Sequence, residues 1–155
     1  MPDGQNQGPP SAPKAAPAAA LGRERMLATM DEAIAARARG DKEAMRGFLA
    51  PGATFRIAGE SDRDALLPAG PALAREVLDG LVDLVRFHEV ERLDTIVEGN
   101  RAAVRWRIDV SIGGGPVTTT EVFDLWTFDG EGRVTDLLQF IDTALLASLM
   151  AQAKG

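Results

Sequence analysis

The spacing of apolar residues changes near residue 85, and this change limits the folds that the chain can adopt. Before it, apolar residues recur every three to four positions, and the widest such stripe is formed by Leu73, Val77, Leu78, Leu81, Val82 and Val85. After it, apolar and polar residues alternate in four runs, which are separated by glycine-containing turns at 99–100, 113–116 and 129–132. Helices followed by such a strand meander predict one α+β domain whose helices cover an antiparallel sheet.

Caps and turn residues predict where the other elements begin and end. Gly40 is placed to end a first helix, and Asp41 starts a shorter one that ends at Pro51-Gly52. Residues 53–57 alternate as a short strand. Asp142 is a suitable N-cap for a C-terminal helix that follows the last strand.

Charge and composition narrow the partners of the chain. Its 155 residues carry 23 acidic and 17 basic side chains, a net charge of −6 that repels nucleic acids and anionic membranes. Residues 1–20 hold five of the nine prolines without apolar periodicity, so we predict a disordered tail there and one domain over residues 21–153. No segment has the character of a membrane span or a secretory signal, and we predict a cytoplasmic protein without nucleic-acid or membrane partners.

Missing residue types narrow the possible mechanisms. The chain has no cysteine, no tyrosine and a single histidine, His88, which excludes thiol nucleophiles and leaves too few ligands for a zinc site. No serine lies in a nucleophile-elbow turn. We therefore expect no metal and no other cofactor, and acid–base chemistry must depend on Asp, Glu, His88 or bound water, with Arg as the electrostatic partner.

The order of these elements, with the aromatic-rich stretch 121–142 and the segment 49–55, resembles the nuclear transport factor 2-like superfamily, in particular its SnoaL-like and ketosteroid-isomerase-like branch. The resemblance implies a cone-shaped fold in which a curved antiparallel sheet wraps around three helices and a C-terminal helix follows. It also implies a concave ligand cavity for a small hydrophobic molecule that is polyketide-, terpenoid- or steroid-like. The convex sheet face would form a homodimer.

Two rows of side chains alternate along the predicted strand 102–112. One row is apolar, and the other contains Arg105, Arg107, Asp109 and Ser111. On the sequence alone the charged row could face solvent, but the resemblance implies that it lines the cavity. Arg107 would then hold the Asp109 carboxylate ionised on the same face, as in the Arg-x-Asp pair of limonene-epoxide-hydrolase-type relatives.

Further candidates complete the expected site. The second acid of those epoxide hydrolases aligns with Gln139, whose amide cannot act as a general acid, unless Asp124 supplies the missing carboxyl group. Asp124 in an apolar run either has a shifted pKa or forms an inert salt bridge with Arg105 or Arg107. His88 is either a base or a packing residue. The catalytic candidates are Asp109, Arg107, Asp124 and His88, and the substrate-binding candidates are Gln139, Arg105, Phe55, Ile57, Trp126 and Leu137.

The absent residue types argue against one mechanism of this branch. A close ketosteroid isomerase needs a tyrosine that the chain lacks, and the position of its base corresponds to Ile57. Two hypotheses remain. The first is an enzyme that acts on a hydrophobic substrate as an isomerase, cyclase or epoxide hydrolase through an Asp/Arg pair. The second is a non-catalytic module for small-ligand binding or dimerisation.

Overall fold

The structure, a computed structural model, describes residues 22–59 and 72–154. Within these residues the chain forms four helices and six strands: α1 (Arg23–Arg39), α2 (Lys42–Gly47), β1 (Leu49–Ile57), β2 (Ala72–Leu73), α3 (Ala74–Leu84), β3 (Val85–Glu98), β4 (Arg101–Ile112), β5 (Thr118–Phe128), β6 (Val134–Phe140) and α4 (Thr143–Ala153). The predicted tail at 1–20 lies outside the described residues.

The six strands form one sheet in the order β2-β1-β6-β5-β4-β3. The predicted meander is confirmed, because β3, β4, β5 and β6 pair as consecutive antiparallel neighbours. β1 instead runs parallel to β6, so the sheet is mixed rather than wholly antiparallel. The connection through α3 carries the chain from the β1 side of the sheet to β3 at the opposite edge. From there β3, β4, β5 and β6 run in alternating directions back towards β1. The α+β fold with a curved sheet and a C-terminal helix is thus the one expected.

The predicted helix caps are present. Gly40 follows α1 with a φ of 71°, a left-handed conformation that glycine adopts without steric cost. The Asp41 carboxylate accepts a hydrogen bond of 3.0 Å from the Ala44 amide at the start of α2. The Asp142 carboxylate accepts one of 2.9 Å from the Leu145 amide at the start of α4. Short polar side chains therefore define these helix starts.

One predicted boundary is wrong. Pro51 and Gly52 do not end α2 but lie within β1, which begins at Leu49. The pairing of β1 with β6 shifts register between Leu49 and Thr54, and Gly52 has a φ of 74° in this interval. A bulge tolerates both a proline without an amide hydrogen and a positive φ, so the strand continues through the irregular segment.

The helices cover the concave face of the sheet. α1 packs on β3 and α3 packs on β1. The apolar row of β4 points towards these helices, and its residues Val104, Trp106 and Ile108 are at most 1% exposed. β4 and β5 each alternate between a buried row and a more accessible row, so the core lies between the helices and a single face of the sheet.

Candidate functional site

A cavity of about 120 Å³ lies between the helices and the concave face of the sheet. Its walls come from all four helices and from β1, β3, β4, β5 and β6, and most of the lining side chains are aliphatic or aromatic. The charged or amide side chains on the wall are Arg37, Asp124, Gln139 and Asp142. An apolar hollow with few polar groups is typical of a site for a small, mainly apolar ligand.

Asp124 is the buried acid of this cavity. The alternation of β5 turns it inward between Val122 and Trp126, and it is 1% exposed. One carboxylate oxygen accepts a hydrogen bond of 3.1 Å from the indole Nε1 of Trp106, and the other accepts one of 3.0 Å from the amide Nε2 of Gln139. Gln139 lies directly opposite Asp124 in the β5–β6 pair, so strand register fixes this contact.

Burial raises the pKa of Asp124 to about 7, because the apolar surroundings disfavour the charged form. Hydrogen bonds from Gln139 and Trp106, together with the nearby indole N–H group of Trp126, lower this pKa in part without cancelling the effect of burial. None of the described salt bridges involves Asp124, so no cation offsets the burial. A carboxyl group with this pKa is populated in both protonation states near neutral pH, as a general acid or base requires.

The indole of Trp126 adds a further polar atom to the site. Its Nε1 is buried and makes no hydrogen bond of normal geometry with any residue in the described segments. It nevertheless lies near enough to Asp124 to help lower the pKa of that carboxyl group. Trp126 also lines the cavity, so a ligand acceptor could satisfy this N–H group.

The expected orientation of the charged row of β4 is wrong. Arg105 forms salt bridges of 2.6 Å with Asp94 and 2.9 Å with Glu121, on the face of the sheet that points away from the helices. Arg107 lies beside it, 48% exposed, with a salt bridge of 3.1 Å to Glu91. The helices cover the apolar row instead, because burying that row removes more hydrocarbon from water and leaves the charges solvated.

Asp109 belongs to the same outer row. Its carboxylate accepts a hydrogen bond of 2.6 Å from the Thr119 hydroxyl, and it does not contact the cavity. The catalytic pair of Arg107 and Asp109 therefore loses the geometry on which it was predicted. For the same reason, the alternative salt bridge from Asp124 to Arg105 or Arg107 does not form, since these residues lie on opposite faces of the sheet.

His88 also lies outside the cavity. It is exposed within a bulged part of β3, and its Nε2 is 2.8 Å from the hydroxyl oxygen of Ser111. Arg105 is likewise absent from the cavity wall, contrary to the expected substrate contact. The other substrate-binding candidates do line the cavity, namely Gln139, Phe55, Ile57, Trp126 and Leu137.

Arg37 is a cavity residue that the sequence analysis missed. It is 7% exposed, and its Nη2 donates hydrogen bonds of 3.0 Å to the Leu81 carbonyl and 2.5 Å to the Val85 carbonyl. The guanidinium carbon lies 4.0 Å from the centre of the Phe87 ring. Burial lowers the pKa of Arg37 to about 10, so it keeps its charge at neutral pH. Its spacing from the buried residues Met26, Met30 and Ala33 was the signal, since it continues their stripe.

The described residues also bear on metal binding and membrane insertion. Residues 22–59 and 72–154 contain no group of three or more His, Cys, Asp or Glu side chains placed to hold a metal ion. Among their helices, none combines the length and the apolar character needed to cross a bilayer.

Residues 22–137 match the family profile described as a SnoaL-like domain. Among solved structures, an NTF2-like protein of unknown function from Burkholderia pseudomallei K96243 has a TM-score of 0.65 at 19% identity, over 81% of this chain and 96% of that one. TerC, co-crystallised with polyporic acid, has a TM-score of 0.67 at 19% identity, over 82% of this chain and 98% of that one. An LEH-like epoxide hydrolase from M. tuberculosis has a TM-score of 0.60 at 14% identity, over 83% of this chain and 91% of that one. These likenesses establish the fold, and a comparison with curated protein sequences gives no match.

Proposed function

Because the chain belongs to the SnoaL-like domain family of the nuclear transport factor 2-like superfamily, we propose that it is an enzyme of acid–base chemistry on a small, largely apolar molecule. Asp124 is the proton-transferring group in this proposal. The observation that carries it is a fully buried carboxyl group on the wall of an apolar cavity, with a pKa raised to about 7.

The surroundings of Asp124 suit the transfer of a proton to and from carbon. Its carboxylate would accept a proton from a carbon next to a ligand carbonyl, and the protonated acid would return it to another atom of the resulting enolate. Trp106 and Gln139 hold the carboxylate in one orientation during both steps. The apolar walls exclude water, which strengthens electrostatic interactions with the enolate. This chemistry is that of an isomerase. In a cyclase, the enolate carbon would instead attack a second carbonyl group of the ligand, and the protonated acid would transfer its proton to the resulting alkoxide.

Hydrolysis of an epoxide is less well supported. That reaction needs one group to activate water and another to protonate the epoxide oxygen. The Arg107 and Asp109 pair lies on the outer face of the sheet, and the only other carboxylate on the described cavity wall, Asp142, caps α4. Asp124 would then have to serve in both roles, so we favour proton transfer at carbon.

Deuterium exchange tests the proposal without knowledge of the natural substrate. Cyclic ketones from cyclohexanone to α-tetralone would be incubated with the protein in D₂O, and mass spectrometry would measure deuterium at the carbon next to the carbonyl. We expect Asp124→Asn to reduce the catalysed rate by about 10²-fold or more. The matched control is Asp109→Asn, the same change on the outer face, which should leave the rate unchanged.

The second candidate is a non-catalytic ligand-binding domain. The observation in its favour is that both oxygens of Asp124 already accept hydrogen bonds from Trp106 and Gln139. Binding of the ketones without exchange in the wild-type protein would favour this function. Equal exchange rates in the two asparagine variants would also contradict a catalytic role for Asp124.

We further propose that the outer face of the sheet binds a second copy of the chain. Phe123 and Phe140 form an edge-to-face pair with ring centres 6.3 Å apart, yet they are 43% and 48% exposed. Exposed aromatic pairs bordered by ion pairs are typical of interfaces. Phe123→Asp should lower the molar mass in light scattering from dimer to monomer, whereas Val117→Asp, at an exposed residue before β5, should not. A monomeric wild-type protein would contradict this proposal.

A further inference from the structure

Arg37 carries a charge into the cavity without a described acidic partner. Its Nη2 binds two backbone carbonyls, and no carboxylate of residues 22–59 or 72–154 forms a salt bridge with it. Nε and Nη1 make no hydrogen bond with the described chain, yet they are not among its fully enclosed polar atoms. Arg37 lines the cavity, so we take these remaining N–H groups as the donors that a ligand there would meet.

The local contacts stabilise this guanidinium only in part. The Leu81 carbonyl belongs to the last turn of α3, where the negative end of the helix dipole favours a cation. The Phe87 ring offers the negative face of its π-system at 4.0 Å. Even so, burial still lowers the pKa of Arg37, so these neutral groups do not replace its lost hydration. An anionic group of a ligand would compensate for the hydration that the guanidinium loses on burial.

We propose that Arg37 binds an anionic oxygen of the ligand, so that the cavity selects small ring compounds bearing a carboxylate, phenolate or enolate. The inference rests on the proposed function only in taking the cavity as the ligand site. Phe87 supports it, because its ring lies against both the guanidinium and the cavity and can contact an apolar ring next to the anionic group.

Strand register separates this anion site from the acid of the cavity. Phe87, against which Arg37 packs, pairs with Val110 on β4, whereas Asp124 pairs with Val104. Six residues along a strand correspond to roughly 20 Å between the backbone positions, which the inward side chains shorten. This separation along the sheet keeps an anion at Arg37 away from direct contact with the Asp124 carboxylate.

Benzoate and benzamide form a matched pair of probes, because they are alike in size and differ in charge. Isothermal titration at neutral pH should show that the wild-type protein binds benzoate roughly tenfold or more tightly than benzamide. In Arg37→Met, which keeps the length and apolar stem of the side chain, the two affinities should become equal. Arg37→Lys keeps the charge and should retain a preference for benzoate.

Three results would overturn the inference. They are an absence of benzoate binding to the wild type at concentrations up to about 10 mM, equal binding of the two probes, and a preference that persists in Arg37→Met. If Arg37→Met does not fold, the ratio of the benzoate and benzamide affinities, measured in the wild type and in Arg37→Lys, still tests the inference. Asp124→Asn separates this inference from the proposed function, because it should keep the benzoate preference whether or not it abolishes exchange.

Discussion

The contribution of Asp124 to the free energy of unfolding should fall as the pH rises from 4 to 7, and Asp124→Asn should remove this contribution. Burial raises the pKa of Asp124 from the ordinary aspartate value of 3.8, which applies to the unfolded chain, to about 7 in the folded protein. Below pH 4 the carboxyl group is protonated in both states and has no effect. Between the two pKa values the unfolded chain releases the proton while the folded protein keeps it, so the free energy of unfolding decreases. Above pH 7 both states are ionised, and the loss is complete.

The magnitude follows from the separation of the two pKa values. They differ by about three units, and each unit corresponds to about 1.4 kcal/mol, so the loss amounts to about 4 kcal/mol. With the side chain 1% exposed, solvent screening reduces this value little. Asparagine preserves the hydrogen bonds, because its oxygen accepts from Trp106 and its NH₂ group donates to Gln139 once that amide rotates.

Urea unfolding of both proteins, followed by tryptophan fluorescence between about pH 4 and pH 8, measures the effect. The free energy of unfolding of Asp124→Asn minus that of the wild type should increase by about 4 kcal/mol over this range. The subtraction removes the contribution of groups that titrate equally in both proteins. A difference that does not change with pH would refute the raised pKa, and with it the basis for Asp124 as an acid–base group.

Three further predictions concern neighbouring parts of the fold. Trp106→Phe removes a hydrogen-bond donor to the Asp124 carboxylate, so the pKa of Asp124 should rise further and the pH dependence should extend to higher pH. Arg107→Ala should change the free energy of unfolding by less than about 1 kcal/mol, because its ion pairs are exposed; a larger loss would argue that the residue is buried. Asp142→Ala should cost about 1 kcal/mol by removing the N-cap of α4, as thermal unfolding would show.

Local sequence signals were sufficient for most of the elements. Asp41 and Asp142 cap helices as expected, and the glycine turns separate antiparallel strands, because capping and turn formation depend on a few adjacent residues. The extension of β1 through Pro51 was not predictable, since it depends on pairing with β6, which lies about 80 residues later in the chain. Long-range pairing overrides the local turn signal of Pro51-Gly52.

The candidate site, like the fold, was predictable from local sequence only in part. The apolar neighbours of Asp124 left two alternatives open, a perturbed pKa or a salt bridge with Arg105 or Arg107, and only its burial without a described salt-bridge partner favours the first. Its partner Trp106 was not identified, because contacts across strands require the register of the sheet. Arg37 was missed because a long charged side chain on a helix is usually solvated. Only the packing of α1 on β3 and the hydrogen bonds of Arg37 to the Leu81 and Val85 carbonyls reveal that it is enclosed.

The alternation of residue types along β4 is enough to predict one apolar and one charged row, because successive side chains of a strand point to opposite faces. It did not determine which row lies inside. That choice depends on the side of the sheet on which α1 and α3 pack, and only the tertiary structure decides it. The helices cover Trp106 and its apolar neighbours, so Arg107 and Asp109 remain in water and Asp124 on the adjacent strand becomes the acid of the cavity. Hydrophobic burial explains the outcome, because enclosing the apolar row costs no desolvation of charge.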